Sequence, residues 1–328
     1  MHKQFKSPIV AALGALLLLT LFSSTLVAQE KQQAQPTGTP VLWRDPGDIA
    51  SRNLLTGPGG EEMKPDITNL TFLEADNTGY SPGFRVRDGA GRVWVVKLGK
   101  EAQPETASSR LLWAVGYMTE IHYLYPCVQI KGAPAPSKSV PRCEGQGFAD
   151  ARFEARPEGI KRLDEWSWTN NPFMGTKELK GLIVMMALIN NWDLKDSNNK
   201  VIYVPASLTG GQDELHYILS DIGATFGKTG NFLSRNRNSA KDFAKSKFVT
   251  GFEGNNVKFS YSGKNSGLMN GITVEDAKWI GGFLNKLSDQ QLQDVFRAAN
   301  FSPEEVQLLS QALRQRISQL SSLTFGGR

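Results

Sequence analysis

Histidine and cysteine are scarce in this chain. Its 328 residues hold three His and two Cys. No His-x-x-x-His and no Cys/His cluster occurs, so the donor sets of zinc enzymes are missing. There is no Gly-x-Ser-x-Gly elbow for a serine hydrolase and no Walker A loop for a P-loop nucleotidase. No heptad run and no short-period repeat appears, which argues against coiled coils and solenoids. Charge of one sign is also in short supply: the formal net charge is +5. That mild excess gives no reason to expect nucleic acid as a partner.

Long apolar runs are missing too. The one at residues 9–22 is short for a spanning helix, which needs roughly 20 residues. Lys3 and Lys6 precede it and Ala28 follows it. This pattern reads as a secretory signal over 1–28. The expectation is an exported chain, periplasmic or secreted, with no membrane span once the signal is removed. The second reading is an uncleaved N-terminal anchor. In an oxidising compartment Cys127 and Cys143 are placed to close a Pro-rich segment by a disulfide. Two unpaired thiols are the other reading, because sequence does not give their separation.

The rest of the composition is that of an ordinary globular protein, 40% hydrophobic and 21% charged, with enough length for one large domain or two modest ones. Residues 29–60 read as a polar, Pro-containing linker and an N-terminal extension. Residues 61–156 read as a β-rich lobe with one helix. In "GFRVRDGAGRVWVVKLG" the alternation of Phe84 and Val86, the turn at 88–91, and Val93, Val95 and Lys97 make a hairpin. "PETASSRLLWAVGYM" (104–118) follows as a helix. Residues 157–328 form a mainly helical lobe with one small β-hairpin, "NKVIYVP" to "LHYILSDIG". Thr176 caps a helix whose stretch 182–189 is apolar nearly all round and therefore buried. Helices are also expected to open at Thr273, Ser288 and Ser302-Pro303. The fold class is α+β, in two lobes.

Four polar elements stand out in this layout. Lys97 lies on an internal strand, where an unpaired cation is costly. Glu105 opens the next helix. Asp193, Lys195 and Asn198 lie together in "NNWDLKDSNN" after the buried helix, and Asp221 ends a strand in "SDIG". Each alone has an ordinary structural reading: a turn, a snorkelling Lys, a favourable helix start. Their joint order matches the needs of phosphoryl transfer, which is mostly positioning and charge neutralisation.

"WDLKDSN" resembles the protein-kinase catalytic loop, "SDIG" the metal-binding Asp-Phe-Gly, "VWVVKLG" the third kinase strand, and "PETASSRLLWAVGY" the helix that supplies the ion-pair Glu. The general look is that of atypical kinases: the HipA-type, phosphatidylinositol-kinase-like and secretory-pathway families, and a group of exported bacterial proteins carrying "NNWDLKD". The resemblance covers roughly 68–225 in detail. It implies a bilobal kinase-like fold and an ATP-dependent phosphotransferase using Mg²⁺ or Mn²⁺. Lys97 would bind the α/β-phosphates and Glu105 would orient it. Asp193 would be the catalytic base or the acceptor-positioning group, and Lys195 would neutralise the transferring phosphoryl. Asn198 and Asp221 would ligate the metal, and a hinge near 156–159 would face the adenine. The sequence departs from the family in several places: Asn191-Trp192 replaces His-Arg, Ile222 replaces Phe, no Ala-Pro-Glu follows, and the nearest Gly-rich loop is "NTGYSPG" (77–83). Two variants stay open, transfer of AMP and a non-catalytic kinase-like binding module. The basic stretch 228–247 is expected to face an acidic or phosphorylated acceptor. Trp166 and Trp168 read as packing residues.

Overall fold

The computed structural model describes residues 35–76 and 81–324. The secretory signal expected over 1–28 and most of the 77–83 turn lie outside the described residues. Among the described residues, no helix is long and apolar enough to cross a membrane. In chain order the elements are β1 (Thr39–Val41), β2 (Leu70–Asp76), β3 (Gly83–Arg87), β4 (Val93–Lys97), α1 (Ala102–Ala114), β5 (His122–Val128), β6 (Ile130–Lys131), β7 (Phe148–Ala155) and β8 (Lys161–Arg162). Then follow α2 (Lys177–Leu188), β9 (Asn199–Val204), α3 (Ala206–Thr209), β10 (Glu214–Leu219), α4 (Ala240–Lys245), β11 (Val249–Glu253), β12 (Asn256–Phe259), α5 (Val274–Leu284), α6 (Asp289–Arg297) and α7 (Pro303–Ser321).

The first lobe is a six-stranded sheet in the order β5-β7-β4-β3-β2-β6. The expected hairpin is there: β3 and β4 pair antiparallel, with Phe84 opposite Val96 and Val86 opposite Trp94. These side chains, with Leu70 and Phe153, form this lobe's own apolar core. In β5, aromatic Tyr123 packs on Trp94 and Tyr125 on Phe153. Cys127 and Cys143 form a disulfide with Cα atoms 5.8 Å apart and a sequence separation of 16. It settles the choice between a disulfide and free thiols. Reduction is expected to cost about 3 kcal/mol by loop-closure entropy for a loop of this length. Denaturant melts of the oxidised and reduced chains check this.

The second lobe grows around α2. Thr176 accepts from the Leu179 N–H as its cap, and every side chain from Leu182 to Ile189 is buried. The helix ends at Leu188, one residue short of the end of its apolar stretch, and Asn190 then takes φ of 55°. α5, α6 and α7 open at Thr273, Ser288 and Ser302 with capping boxes at each. These helices close on α2 and form the larger core with Phe226, Phe243 and Phe296. The buried Arg316 on α7 ties the end of α2 in place, donating to Leu188 O at 2.6 Å and Asn190 Oδ1 at 3.0 Å. The bilobal α+β plan expected of the chain is thus the plan it adopts.

Helix α1 lies between the two cores. Its apolar residues Ala107, Leu111 and Leu112 belong to the larger core. Its polar residues meet the sheet instead: Ser109 Oγ lies 2.9 Å from Nδ1 of the buried His122 on β5. Gly116, at φ of 99°, turns the chain after α1, and a Cβ there would run into the Arg44 carbonyl. That close approach belongs to the N-terminal segment. β1 adds a parallel strand to β10, with Thr39 opposite Glu214, and so joins the sheet β1-β10-β9-β8. Trp43 then donates to Val115 O at 2.7 Å while its ring packs edge-on against Trp279 and Phe283 of α5.

Candidate active site

Lys97, Asn198 and Asp221 line one cleft of about 800 Å³. They reach it from β4, from the turn before β9, and from the loop after β10. Asn198 and Asp221 are distant in sequence, and the backbone brings them together: the N–H groups of Ser220 and Asp221 donate to Asn198 O at 2.8 and 3.1 Å. The Asn198 side-chain amide donates to Asp193 O at 2.6 Å. This turns its Oδ1 away from Asp193. An amide oxygen and a carboxylate at one cleft suit a hard divalent cation, so these residues fit Mg²⁺ or Mn²⁺.

Asp193 stands beside this pair. Its Oδ2 forms an ion pair with Lys195 Nζ at 2.8 Å, and its backbone N–H donates to Asn191 Oδ1 at 3.1 Å. Asn191 is buried and its carbonyl accepts from Tyr261 Oη at 2.6 Å. Burial, helped by the charge of Asp193, pushes the Tyr261 phenol well up. The Asn-Trp that replaces His-Arg therefore has work of its own. Asn191 shapes the loop, and Trp192 anchors it by donating to Asn236 O at 2.8 Å.

Lys97 and Glu105 meet, with Lys97 Nζ 3.8 Å from Glu105 Oε1. Glu105 has a second and closer cation, Arg152 Nη2 at 3.0 Å from Oε2. Burial pushes the Glu105 carboxyl up, and Arg152 and Lys97 offset this only in part. Arg152 is wholly buried and faces Lys97 in register across β4 and β7. It also reaches Glu154 at 3.3 Å and His122 Nε2 at 2.5 Å. Burial and Arg152 push the His122 imidazole well down, so it accepts there as the neutral ring. Burial alone would raise the Glu154 carboxyl, yet Arg156 and Arg152 hold it down to about 2. Arg162 completes the network: it pairs with Glu120 and with Glu154, and donates to Ser220 Oγ at 2.6 Å. Glu120, His122 and Glu154 bring ligand atoms within 4.8 Å of one another, but three guanidinium groups already balance their charge.

Sequence reading missed Arg152, Glu154 and Arg162. A signal was available: in "ARFEARP" the charges alternate with apolar residues on a strand, which aims Arg152, Glu154 and Arg156 at one face.

The segment after Asp221 packs on the first turn of α1. A Cβ on Gly223 would sit 2.6 Å from Glu101 Cβ, Ser108 Oγ lies 3.0 Å from Thr225 Oγ1, and Arg237 pairs with Glu101. Arg235 and Arg237 both stack on Trp192, with Cζ 4.2 and 4.8 Å from the ring centroid. Trp166 and Trp168 are buried and pack together.

No family model and no curated protein matches the chain. Among solved structures it is similar to the Helicobacter pylori proinflammatory kinase CtkA, at TM-score 0.45 and 12% identity, covering 77% of this chain and 96% of that one. It is also similar to the Golgi casein kinase, at TM-score 0.42 and 8% identity, covering 98% of this chain and 93% of that one. The same Golgi enzyme with Mn/ADP bound gives TM-score 0.38 at 9% identity, with the same coverage of 98% and 93%. These two proteins are kinases by name.

Proposed function

We propose that the chain is an exported atypical kinase that transfers phosphate from ATP to an acceptor with the help of Mg²⁺ or Mn²⁺. One observation carries this reading: Lys97, Asn198 and Asp221 converge on a single cleft, with Glu105 against Lys97 and Asp193 against Asn198. Lys97 would hold the α/β-phosphates, and Glu105 would orient it. Asn198 and Asp221 would hold the metal, whose charge offsets that of the phosphates. The acceptor oxygen bonds to the γ-phosphorus as the bond to the β–γ bridging oxygen breaks. ADP leaves, and the acceptor proton passes to Asp193. Lys195, paired with Asp193, offsets the charge on the transferring group. The disulfide supports export, since such bonds persist in oxidising compartments.

The acceptor would be acidic or phosphorylated and face 228–247. Arg235, stacked on Trp192 beside Asp193, supports this. Arg237 is engaged by Glu101, so a clean test of the acceptor site reverses Arg235 alone. Arg235→Glu should weaken acceptor use and spare ATP binding; equal loss of both would refute the acceptor role.

The decisive experiment uses ATP labelled at the γ- or the α-phosphate. The reading requires a time-dependent γ-labelled product that Asp193→Ala loses. Transfer of the α-label would reassign the scaffold to AMP transfer. Nucleotide binding with no product would make it a binding module.

A further inference from the structure

The most exposed large apolar side chains among the described residues are neighbours in sequence. They are Phe232 and Leu233, at 77% and 80% exposure. A built turn presents them. Asn231 Oδ1 accepts from the backbone N–H groups of Leu233 and Ser234 and from Ser234 Oγ, each at 3.1 Å. Lys228 and Asn236 close the stem below the turn: the Asn236 N–H donates to Lys228 O at 3.2 Å, and the Lys228 N–H donates to Asn236 Oδ1 at 2.8 Å. The stem is pinned in turn to the 190–199 loop, through the Trp192 bond to Asn236 O, and to Ser262, whose carbonyl accepts from the Gly230 N–H at 2.9 Å. A turn already held this way loses little freedom when its apex is buried.

All of 231–234 is exposed, so the two side chains stand out from the surface. A protruding apolar tip leaves water by entering its partner, and a bilayer interface admits such a tip without a matching pocket. The surroundings of the tip are basic. Lys228 and Arg235 flank the turn, exposed Lys264 lies in the segment that Gly230 contacts, and exposed Lys241 follows on α4. Asp242 is the one acid in 228–247, and Asn236 and Ser239 bond its carboxylate. Asp193 is paired with Lys195. Apolar groups in front of a row of cations match the boundary of an anionic membrane, where acyl chains lie behind negative headgroups. We propose that the chain docks on anionic lipid surfaces by inserting Phe232 and Leu233, with the basic stem against the headgroups. So small a tip gives weak, reversible attachment. It brings the Asp193 loop, to which the stem is pinned, beside the lipid surface. Docking does not depend on phosphate transfer, so a chain without kinase activity would dock as well.

The test follows the tip itself. Cys127 and Cys143 are joined, so Phe232→Cys offers a single free thiol for an environment-sensitive dye. The labelled full chain is titrated with vesicles of phosphatidylglycerol and phosphatidylcholine in equal parts, and with phosphatidylcholine vesicles. The anionic vesicles should raise the emission severalfold and the neutral ones should leave it nearly unchanged. Added salt should weaken the response, because the charges on the stem are screened. Leu233→Ser beside the dye should weaken it severalfold. The same dye at Leu208→Cys is the control. Leu208 is also exposed, but it lies beyond the end of the β9–β10 hairpin opposite Asn198, about 20 Å along the strands, and should not respond. Since the dye reports its own surroundings, a contribution of 9–22 to vesicle binding does not decide the result. No response at 232, or an equal response at 208, would overturn the proposal. An acidic peptide that shifts the dye at 232 where vesicles do not would overturn it too, and would give the tip to a polypeptide partner.

Discussion

Asp221→Ala is expected to remove the metal-dependent stabilisation of the chain by ATP. Asp221 supplies a carboxylate to the cleft, and Asn198, to which its backbone N–H is bonded, supplies an amide oxygen. Without the carboxylate, an amide alone is a poor ligand for Mg²⁺ or Mn²⁺, which favour carboxylates and phosphate oxygens. In the unaltered chain, saturation to 100 times Kd adds about 2.7 kcal/mol to folding stability. Thermal unfolding with ATP, with and without metal, reads this as an upward shift. The variant should show only the metal-independent remainder. Its stability without ligand should hold or rise slightly, because Asp221 adds to the repulsion felt by the buried Glu105. A metal-dependent shift that survives in Asp221→Ala would place the cation elsewhere.

The largest loss of stability is expected from Arg152→Met. Arg152 faces Glu105 at 3.0 Å, Glu154 at 3.3 Å and His122 at 2.5 Å, all within the protein interior. Methionine fills a similar volume and supplies no charge. Two buried carboxylates then lose a cation, and breaking a buried pair from one side costs about 3–5 kcal/mol. Glu105 would keep Lys97 alone, at 3.8 Å. Adding Glu105→Gln removes one of the orphaned charges, so the double variant should recover part of the loss. A double-mutant cycle in urea gives the coupling directly. Additive losses would mean that the two side chains do not depend on each other.

How much of this was legible beforehand depended on the range of the interactions. The buried run 182–189, the caps at Thr176, Thr273, Ser288 and Ser302, and the β3–β4 hairpin follow local rules of periodicity and capping, and the structure has them all. The short strands β1, β8, β11 and β12 were not visible. β1 and β8, of three and two residues, are too short to carry a period, and β1 forms only because β10 offers an edge. At the site, Asp193, Lys195 and Asn198 were readable from spacing within one loop. The second cation on Glu105 was not, because Arg152 meets it through strand register. Nor did the basic count over 228–247 reveal that Arg237 serves Glu101.

The segment around Trp43 bears on the order in which the molecule assembles. β1 needs Glu214 and its neighbours, and Trp43 needs Trp279 and Phe283. β1 therefore waits for β10, and Trp43 waits for α5. Loop closure over such separations is slow, so a nascent chain keeps β1 unpaired until β10 exists and the Trp43 ring uncovered until α5 exists. The back of α1, where Trp43 grips Val115 O, is then among the last surfaces to be sealed. A chain interrupted before α5 would have the 190–199 loop but not the clasp that sets α1.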